Sequence, residues 1–392
     1  MEKQNKESII LVTNIPTPYR IDLFKEMQNQ INTKFNMDFQ VWFMSDTEPT
    51  RHWKIDKTSL KFNNKFFKGL HPTIKGIPYH LNIGMLLELN KIRPKYLIVG
   101  GAWVFPSTIL IAYLKRFLFP TTKMIFWSEA HLVNKNSENK LLKSIKTSIF
   151  SKFDGFIVPG AKALQYVKNY SKNNKKVLVL PNTVDERKFH YKVKELRSNR
   201  REQIRESLGV KNSELLLILP ARLIEVKGII PFLKALRESE TLSNFKLFIA
   251  GDGVLKDSIE SEIKNGLEKI VYLMGHVDEM KMLELYAAAD IFVLPSIYDA
   301  SPLTVVEALW AGLPLLLSTG VGNNEEALIN EENGWLFDIK NKNDTIRVIE
   351  KALSTDKEIL KTYGRKSEEI SFCNFDKETQ VEKLLNKLIN NL

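Results

Sequence analysis

The sequence predicts an α/β protein made of two doubly wound, Rossmann-like domains that face a cleft. Three observations carry this. Apolar runs of strand length recur at 9–13, 37–43, 96–99, 124–127, 156–158 and 177–180, and again at 215–219, 246–250, 271–274, 291–294 and 315–317. Continuous runs of that kind suit parallel strands buried on both faces. Segments of helical spacing separate them, and 392 residues are enough for two full cores.

Composition narrows the class. A single cysteine, Cys373, excludes an intramolecular disulfide framework and a Cys-rich zinc site, and suits a reducing cytosol. The apolar run at 9–12 is too short for a signal-peptide core or a membrane span, so a cytoplasmic chain is expected. Net charge is +11, unevenly spread: residues 1–190 hold 30 Lys and Arg against 14 Asp and Glu, a net +16, leaving −5 for the rest. A basic front half suggests contact with a polyanionic surface. No nucleic-acid-binding motif is present, so an anionic membrane leaflet, met peripherally, is the expected partner and nucleic acid is not. The six histidines show no ligand spacing, and no metal is expected.

The first strand, 9–13, leads through a proline-rich loop to a helix whose first turn carries Arg20, placed to meet a phosphate or a carboxylate. Between 51 and 69, Trp53, Phe62, Phe66 and Phe67 alternate with lysines, a composition suited to a membrane-surface patch or to a loop with inward-packed aromatics. The strand at 124–127 delivers Glu129 and His131 to its carboxyl end, where open α/β sheets bind ligands. Residues 140–153 read as an amphipathic helix with Leu141, Leu142, Ile145 and Ile149 on one face and Lys140, Lys143 and Lys146 off it. Turn chemistry at 181–185 and a charged, apolar-poor stretch at 191–202 suggest a linker, dividing the chain into 1–190 and 191–375. Residues 376–392 read as an amphipathic helix.

In the second half, the strand at 215–219 is followed by Arg222 and Lys227 just before Gly228. Two cations at such a strand exit suit a diphosphate. Gly251 and Gly253 end the next strand, where glycines let backbone approach a ligand. His276 follows the strand at 271–274. The stretch 290–319 organises the domain as strand, loop, helix and strand. Ser301 is expected to cap its helix with Pro302 in the first turn, so that the N–H groups near Leu303 and Thr304 face a ligand. Asp299 precedes this helix, Glu307 lies inside it, and seven residues separate the two acids.

That string resembles the donor-site signature of the retaining glycosyltransferases of family 4, which have the two-domain GT-B fold. Glu307, Ala308, Gly312 and Pro314 match its pattern; Asp299 stands where the family has Glu, one methylene longer. The resemblance implies transfer of a sugar from a nucleotide-diphosphate donor to a hydroxyl of a saccharide or lipid-linked acceptor in surface-polysaccharide synthesis. It implies Arg222 and Lys227 on the diphosphate, Glu307 on the ribose, Asp299 on the donor sugar, and a last helix, 376–392, that crosses back onto the first domain. His131 would touch the sugar or acceptor, His276 and the Gly251–Gly253 turn would lie along the donor, and Arg20 and Glu129 would face the acceptor. No Asp-x-Asp occurs, the motif by which another glycosyltransferase fold holds a metal, so cationic side chains would do that work. An epimerase of the same fold, or a non-catalytic basic adaptor for membranes or nucleic acid, are the alternatives.

Overall fold

The structure, a computed structural model, describes residues 6–49, 55–74, 76–131, 139–171, 175–240 and 243–391. The chain divides into two compact units. One comprises 1–159, 163–181 and 377–392, and the other 160–162 and 182–376. The division falls after Pro181, not after His190.

The chain opens with β1 (Ser8–Thr13), α1 (Pro18–Gln30), β2 (Asp38–Phe43) and β3 (Asn64–Phe66). A short hairpin of β4 (Thr73–Ile74) and β5 (Ile77–Pro78) precedes α2 (Ile83–Ile92) and β6 (Tyr96–Gly100). Then come α3 (Pro106–Leu118), β7 (Lys123–Trp127), α4 (Lys140–Phe150), β8 (Gly155–Val158), α5 (Ala161–Tyr170) and β9 (Lys176–Val179). Seven strands form one parallel sheet in the order β3-β2-β1-β6-β7-β8-β9. The central strands are apolar throughout because helices cover both faces; Ile9 to Val12 are each at most 1% exposed. The order reverses between β1 and β6, so the crevice at their carboxyl ends is the topological switch point.

Two surface features bear on the expected membrane contact. Phe62 is buried, and Phe66 and Phe67 pack against the cores. Lys57 lies over the Phe66 ring and Lys65 over Phe67. The alternating aromatics therefore anchor a loop inward; Trp53 lies outside the described residues. In α4 the expected apolar face is only partly buried: Ile149 lies in the core and Lys140 and Lys143 are exposed, but Lys146 has gone inward and three apolar residues outward. Lys146 is buried, its ammonium 4.1 Å from the Tyr170 ring centre and 5.4 Å from that of Trp103. Leu141, Leu142 and Ile145 point outward, at 66%, 50% and 42% exposure. A cation over aromatic rings, with its stem buried, is accommodated at that interior position.

The second unit runs α6 (Val193–Ser207), β10 (Leu215–Pro220), α7 (Ile229–Arg237), β11 (Phe245–Ala250) and α8 (Lys256–Lys264). It continues with β12 (Val271–Gly275), α9 (Glu279–Ala288), β13 (Ile291–Leu294), α10 (Leu303–Trp310) and β14 (Leu315–Ser318). It closes with α11 (Asn324–Ala327), β15 (Gly334–Phe337), α12 (Lys342–Leu353) and α13 (Lys357–Phe375). Six parallel strands are ordered β12-β11-β10-β13-β14-β15, with the switch point between β10 and β13. The final helix, α14 (Lys377–Asn391), buries Val381, Leu384, Leu385 and Leu388 in the first unit's core beside Leu23 and Phe24 of α1.

The charged stretch at 191–202 is not a linker. It lies in a helical turn and α6, which packs on α9 through Leu196 and Ile204. Arg197 donates to the carbonyls of Tyr286 and Ala287, and Arg205 to that of Ala288, at the end of α9. Arg201 and Arg205 both pair with Asp290. Arginines capping a helix C-terminus do work that a hydropathy reading assigns to apolar residues.

Candidate active site

In the second unit, every residue singled out from the sequence lies at the carboxyl edge of the sheet or in the first turns beyond it. β10 ends at Pro220 and leads to Arg222, then to a tight turn over Glu225–Lys227. Gly228 closes that turn with φ +65°, and a Cβ there would stand 2.1 Å from the Pro295 carbonyl oxygen. Only glycine lets this loop lie against the exit of β13. The amides of Ile297 and Tyr298 both donate to the Val226 carbonyl, fastening the two loops together.

That contact brings Lys227 to Asp299. The ammonium is ion-paired with the carboxylate, and both side chains are largely shielded, at 14% and 17% exposure. Asp299 is also held by its backbone: its amide donates to Gly320 and its carbonyl accepts from Gly322. Arg222, by contrast, is exposed and makes no ion pair among the described residues. Of the two cations expected to meet a diphosphate, one is already matched and the other is open.

The helix α10 begins one residue later than expected. Pro302 is its N-cap and no side chain caps it, so Ser301 does not play that part. Proline at the cap leaves the first N–H groups of the helix, from Leu303 and Thr304 onward, without a side-chain acceptor, and such a terminus suits an anion. Glu307, one turn in, is half-buried, and the Tyr286 hydroxyl donates to its Oε2 at 2.8 Å. Burial pushes the Glu307 carboxyl up to about 7, against the lowering effect of the Tyr286 hydrogen bond. The Tyr286 hydroxyl is itself pushed upward by burial and by the carboxylate beside it.

Gly251 and Gly253 serve a different close approach from the one expected. A Cβ on Gly251 would lie 1.9 Å from the Ala221 carbonyl oxygen, and one on Gly253 2.5 Å from that of Leu223. These glycines let the loops after β10 and β11 pack on each other, which fixes the backbone on either side of Arg222. His276 is exposed just past β12.

In the first unit, Arg20 and Glu129 are brought together. The guanidinium is buried, 2.5 Å from Glu129 Oε1 and over the Trp127 ring. Burial works against its charge, but the adjacent carboxylate outweighs that and holds its pKa above the ordinary value. Arg20 is thus a neutralised support under the sheet edge, not an open phosphate contact. His131 is buried two residues after Glu129, and 132–138 lie outside the described residues. Sequence reasoning missed Tyr286 as the partner of Glu307; in sequence it is one aromatic among the apolar residues of α9. Among the described residues no three His, Cys, Asp or Glu side chains gather as they would around a metal ion.

A parallel-sheet edge with an open arginine, an uncapped helix start and a half-buried carboxylate defines a doubly wound domain with the chemistry of an anion site. Residues 200–369 match the family model described as Glycosyl transferases group 1. An uncharacterized glycosyltransferase of Methanocaldococcus jannaschii is 32% identical over 181 residues, 45% of this chain and 46% of that protein. The UDP-Gal:alpha-D-GlcNAc-diphosphoundecaprenol alpha-1,3-galactosyltransferase of Escherichia coli is 26% identical over 215 residues, 53% of each chain. The matched stretches thus span about half the length of these curated relatives. The crystal structure of a glycosyltransferase from Rickettsia africae superposes with a TM-score of 0.74 at 15% identity, covering 99% of this chain and 100% of that one. The fold is therefore that of the GT-B glycosyltransferases, two Rossmann-like domains with parallel sheets.

Proposed function

We propose that this chain is a retaining glycosyltransferase of the family 4 kind. It moves a sugar from a nucleotide-diphosphate donor to a hydroxyl of a saccharide or lipid-linked saccharide, in surface-polysaccharide synthesis. The observation that carries this reading is the edge of the second unit's sheet, where Arg222, the Lys227–Asp299 pair, the start of α10 and Glu307 converge. Arg222, Lys227 and the α10 N–H groups stabilise charge growing on the leaving diphosphate. Glu307, ionised, accepts from the ribose hydroxyls, and Asp299 from donor-sugar hydroxyls. The bond from the anomeric carbon to the diphosphate breaks as the acceptor oxygen bonds to the same face. The acceptor proton passes to the departing diphosphate oxygen. These cations supply the positive charge, so the reaction is proposed to be metal-independent.

Peripheral binding to an anionic leaflet, on the cytoplasmic face, is part of the proposal. Leu141, Leu142 and Ile145 of α4 and Phe117 of α3 are exposed in a unit rich in lysine. Exposed apolar side chains among cations suit the boundary of an anionic membrane. Among the described residues no helix is long and apolar enough to cross a membrane.

The test is transfer itself. The chain is incubated with UDP-, GDP- and dTDP-sugars and a panel of octyl glycosides in EDTA, and products are read by mass spectrometry and NMR. A glycoside extended by one sugar with the donor's anomeric configuration supports the reading. A donor isomerised with no acceptor present favours the epimerase alternative.

A further inference from the structure

A chain of side chains at the first unit's switch point has no part in the site described above. Glu48, after β2, is buried at 5% exposure, and His80, after β5, at 1%. His80 Nε2 lies 3.0 Å from Glu48 Oε1, and the Asn14 amide donates to the same oxygen at 2.6 Å. His80 Nδ1 lies 2.9 Å from Nδ1 of His71, whose residue is exposed. The His80 ring stands edge-on to Phe105, with ring centres 4.8 Å apart, and its carbonyl accepts from the Ser107 amide. Asn14 follows β1 and Phe105 follows β6, so the chain is pinned at the crevice where an open α/β sheet takes its ligand.

With one proton on each ring, the hydrogen bonds set where it sits. An acceptor oxygen facing His80 Nε2 makes that nitrogen the donor. A neutral His80 then presents a lone pair at Nδ1, so His71 Nδ1 must donate. That leaves the lone pair of His71 on Nε2, and Nε2 has no hydrogen-bond partner among the described residues. A structural strut has no use for an exposed, oriented acceptor at its end. A sugar hydroxyl is a donor suited to it.

We propose that His71 is an acceptor-saccharide contact of this enzyme, its Nε2 accepting a hydrogen bond from a sugar hydroxyl, with His80 and Glu48 as positioning residues. This deepens the proposed glycosyltransferase reading and rests on it. The charged and titratable groups facing His71 are His80 and Asp46, the latter paired with Lys57, with Glu48 beyond His80. Burial holds His71 below the ordinary histidine value, so its ring is neutral at neutral pH and protonates in acid.

Two measurements on the full chain test this. Long-range nitrogen–proton NMR of the histidines, with His71 assigned by its loss in His71→Ala, is expected to show it protonated on Nδ1 alone at pH 7.5. Titration with a panel of octyl glucosides and galactosides is expected to shift the His71 signals. In His71→Ala the binding of the responding glycoside should weaken about tenfold, the scale of one hydrogen bond. His71→Gln should recover part of it, and wild-type binding should fade below pH 6.5. A His71 protonated on Nε2, silence toward the whole panel, or unchanged binding in His71→Ala would each overturn the inference. Nucleotide-sugar binding is measured on the same samples: if wild type binds none, the transferase reading fails. If wild type and variant bind nucleotide sugar equally while His71→Ala also keeps its glycoside, only this inference fails.

Discussion

Lys227 and Asp299 are ion-paired across the loops that follow β10 and β13, 72 residues apart in sequence. The pairing means that the lysine expected to meet a diphosphate is neutralised beforehand by the acid expected to meet the sugar. A donor entering this edge has to share or displace that carboxylate. Asp299, shorter than the Glu of the family pattern, is held by its backbone on both sides, so its reach to Lys227 is set by the loop.

Removing that carboxylate should separate binding from transfer. Asp299→Asn frees Lys227, so affinity for a free nucleoside diphosphate should rise, by up to about tenfold for one released charge pair. Transfer should nevertheless fall, because the sugar contact is lost. Calorimetry with nucleoside diphosphate alongside turnover reads both. An Asp299→Asn chain that binds the diphosphate more weakly than wild type would contradict this division of roles.

The clamp itself is tested by Arg222→Ala and Lys227→Ala. Each should cut transfer at least ~100-fold, the loss typical when one preorganised charge-stabilising donor is removed. Arg222 is exposed and unpaired among the described residues, so its variant should keep wild-type stability and isolate the effect on chemistry. Near-normal turnover in a folded Arg222→Ala chain would remove it from the site.

The Tyr286–Glu307 pair gives a pH signature. With its carboxyl near 7, Glu307 ionises across neutrality, and only the ionised form accepts from both ribose hydroxyls. Nucleotide affinity should therefore fall as pH drops below about 7. Tyr286→Phe removes a bond that lowers the Glu307 value, so this acid limb should move to higher pH. The stability consequence has the opposite sense. The folded value lies above the unfolded one of 4.5, so Glu307 favours the native state in acid, and this contribution is lost as pH rises towards 7. Relative to Glu307→Gln, wild type should lose thermal stability over that interval. An affinity profile that is flat in wild type, or that matches Glu307→Gln, would contradict the assignment.

The outward-facing Leu141, Leu142 and Ile145 make α4 the place to test the proposed membrane contact. Leu141→Glu with Leu142→Glu should weaken sedimentation with phosphatidylglycerol vesicles, while nucleotide affinity stays unchanged. High salt should release wild type, since the cationic share of the attraction is screened. Equal sedimentation of variant and wild type would remove α4 from the contact.

Much of the fold was legible because the central strands are buried on both faces and so read as unbroken apolar runs. Ile291–Leu294 is a strand for that reason alone. The stretch at 191–202 reads as a linker because it is short of apolar residues, yet its Arg197 closes the end of α9 and its Arg201 pairs with Asp290. Helical spacing in α4 found a stripe of which Ile149 is buried and Leu141, Leu142 and Ile145 are not; the rings over which Lys146 lies, Tyr166 and Tyr170 among them, are outside that pattern. In the site, strand exits placed Arg222, Lys227 and Glu307 at one edge. The pairings of Lys227 with Asp299 and Tyr286 with Glu307 depend on how loops and helices pack, which no local pattern encodes.

The central claim is that the second unit's sheet edge holds a nucleotide-diphosphate sugar, and thermal unfolding in the presence of a nucleotide-sugar panel tests it most directly. A ligand at 100 times its Kd that binds only the native state adds about 2.7 kcal/mol. At least one nucleotide sugar should raise the melting temperature of wild type, and the rise should be largely lost in Arg222→Ala and Glu307→Gln. A wild-type protein that no nucleotide sugar stabilises, or one stabilised equally in both variants, would contradict the account.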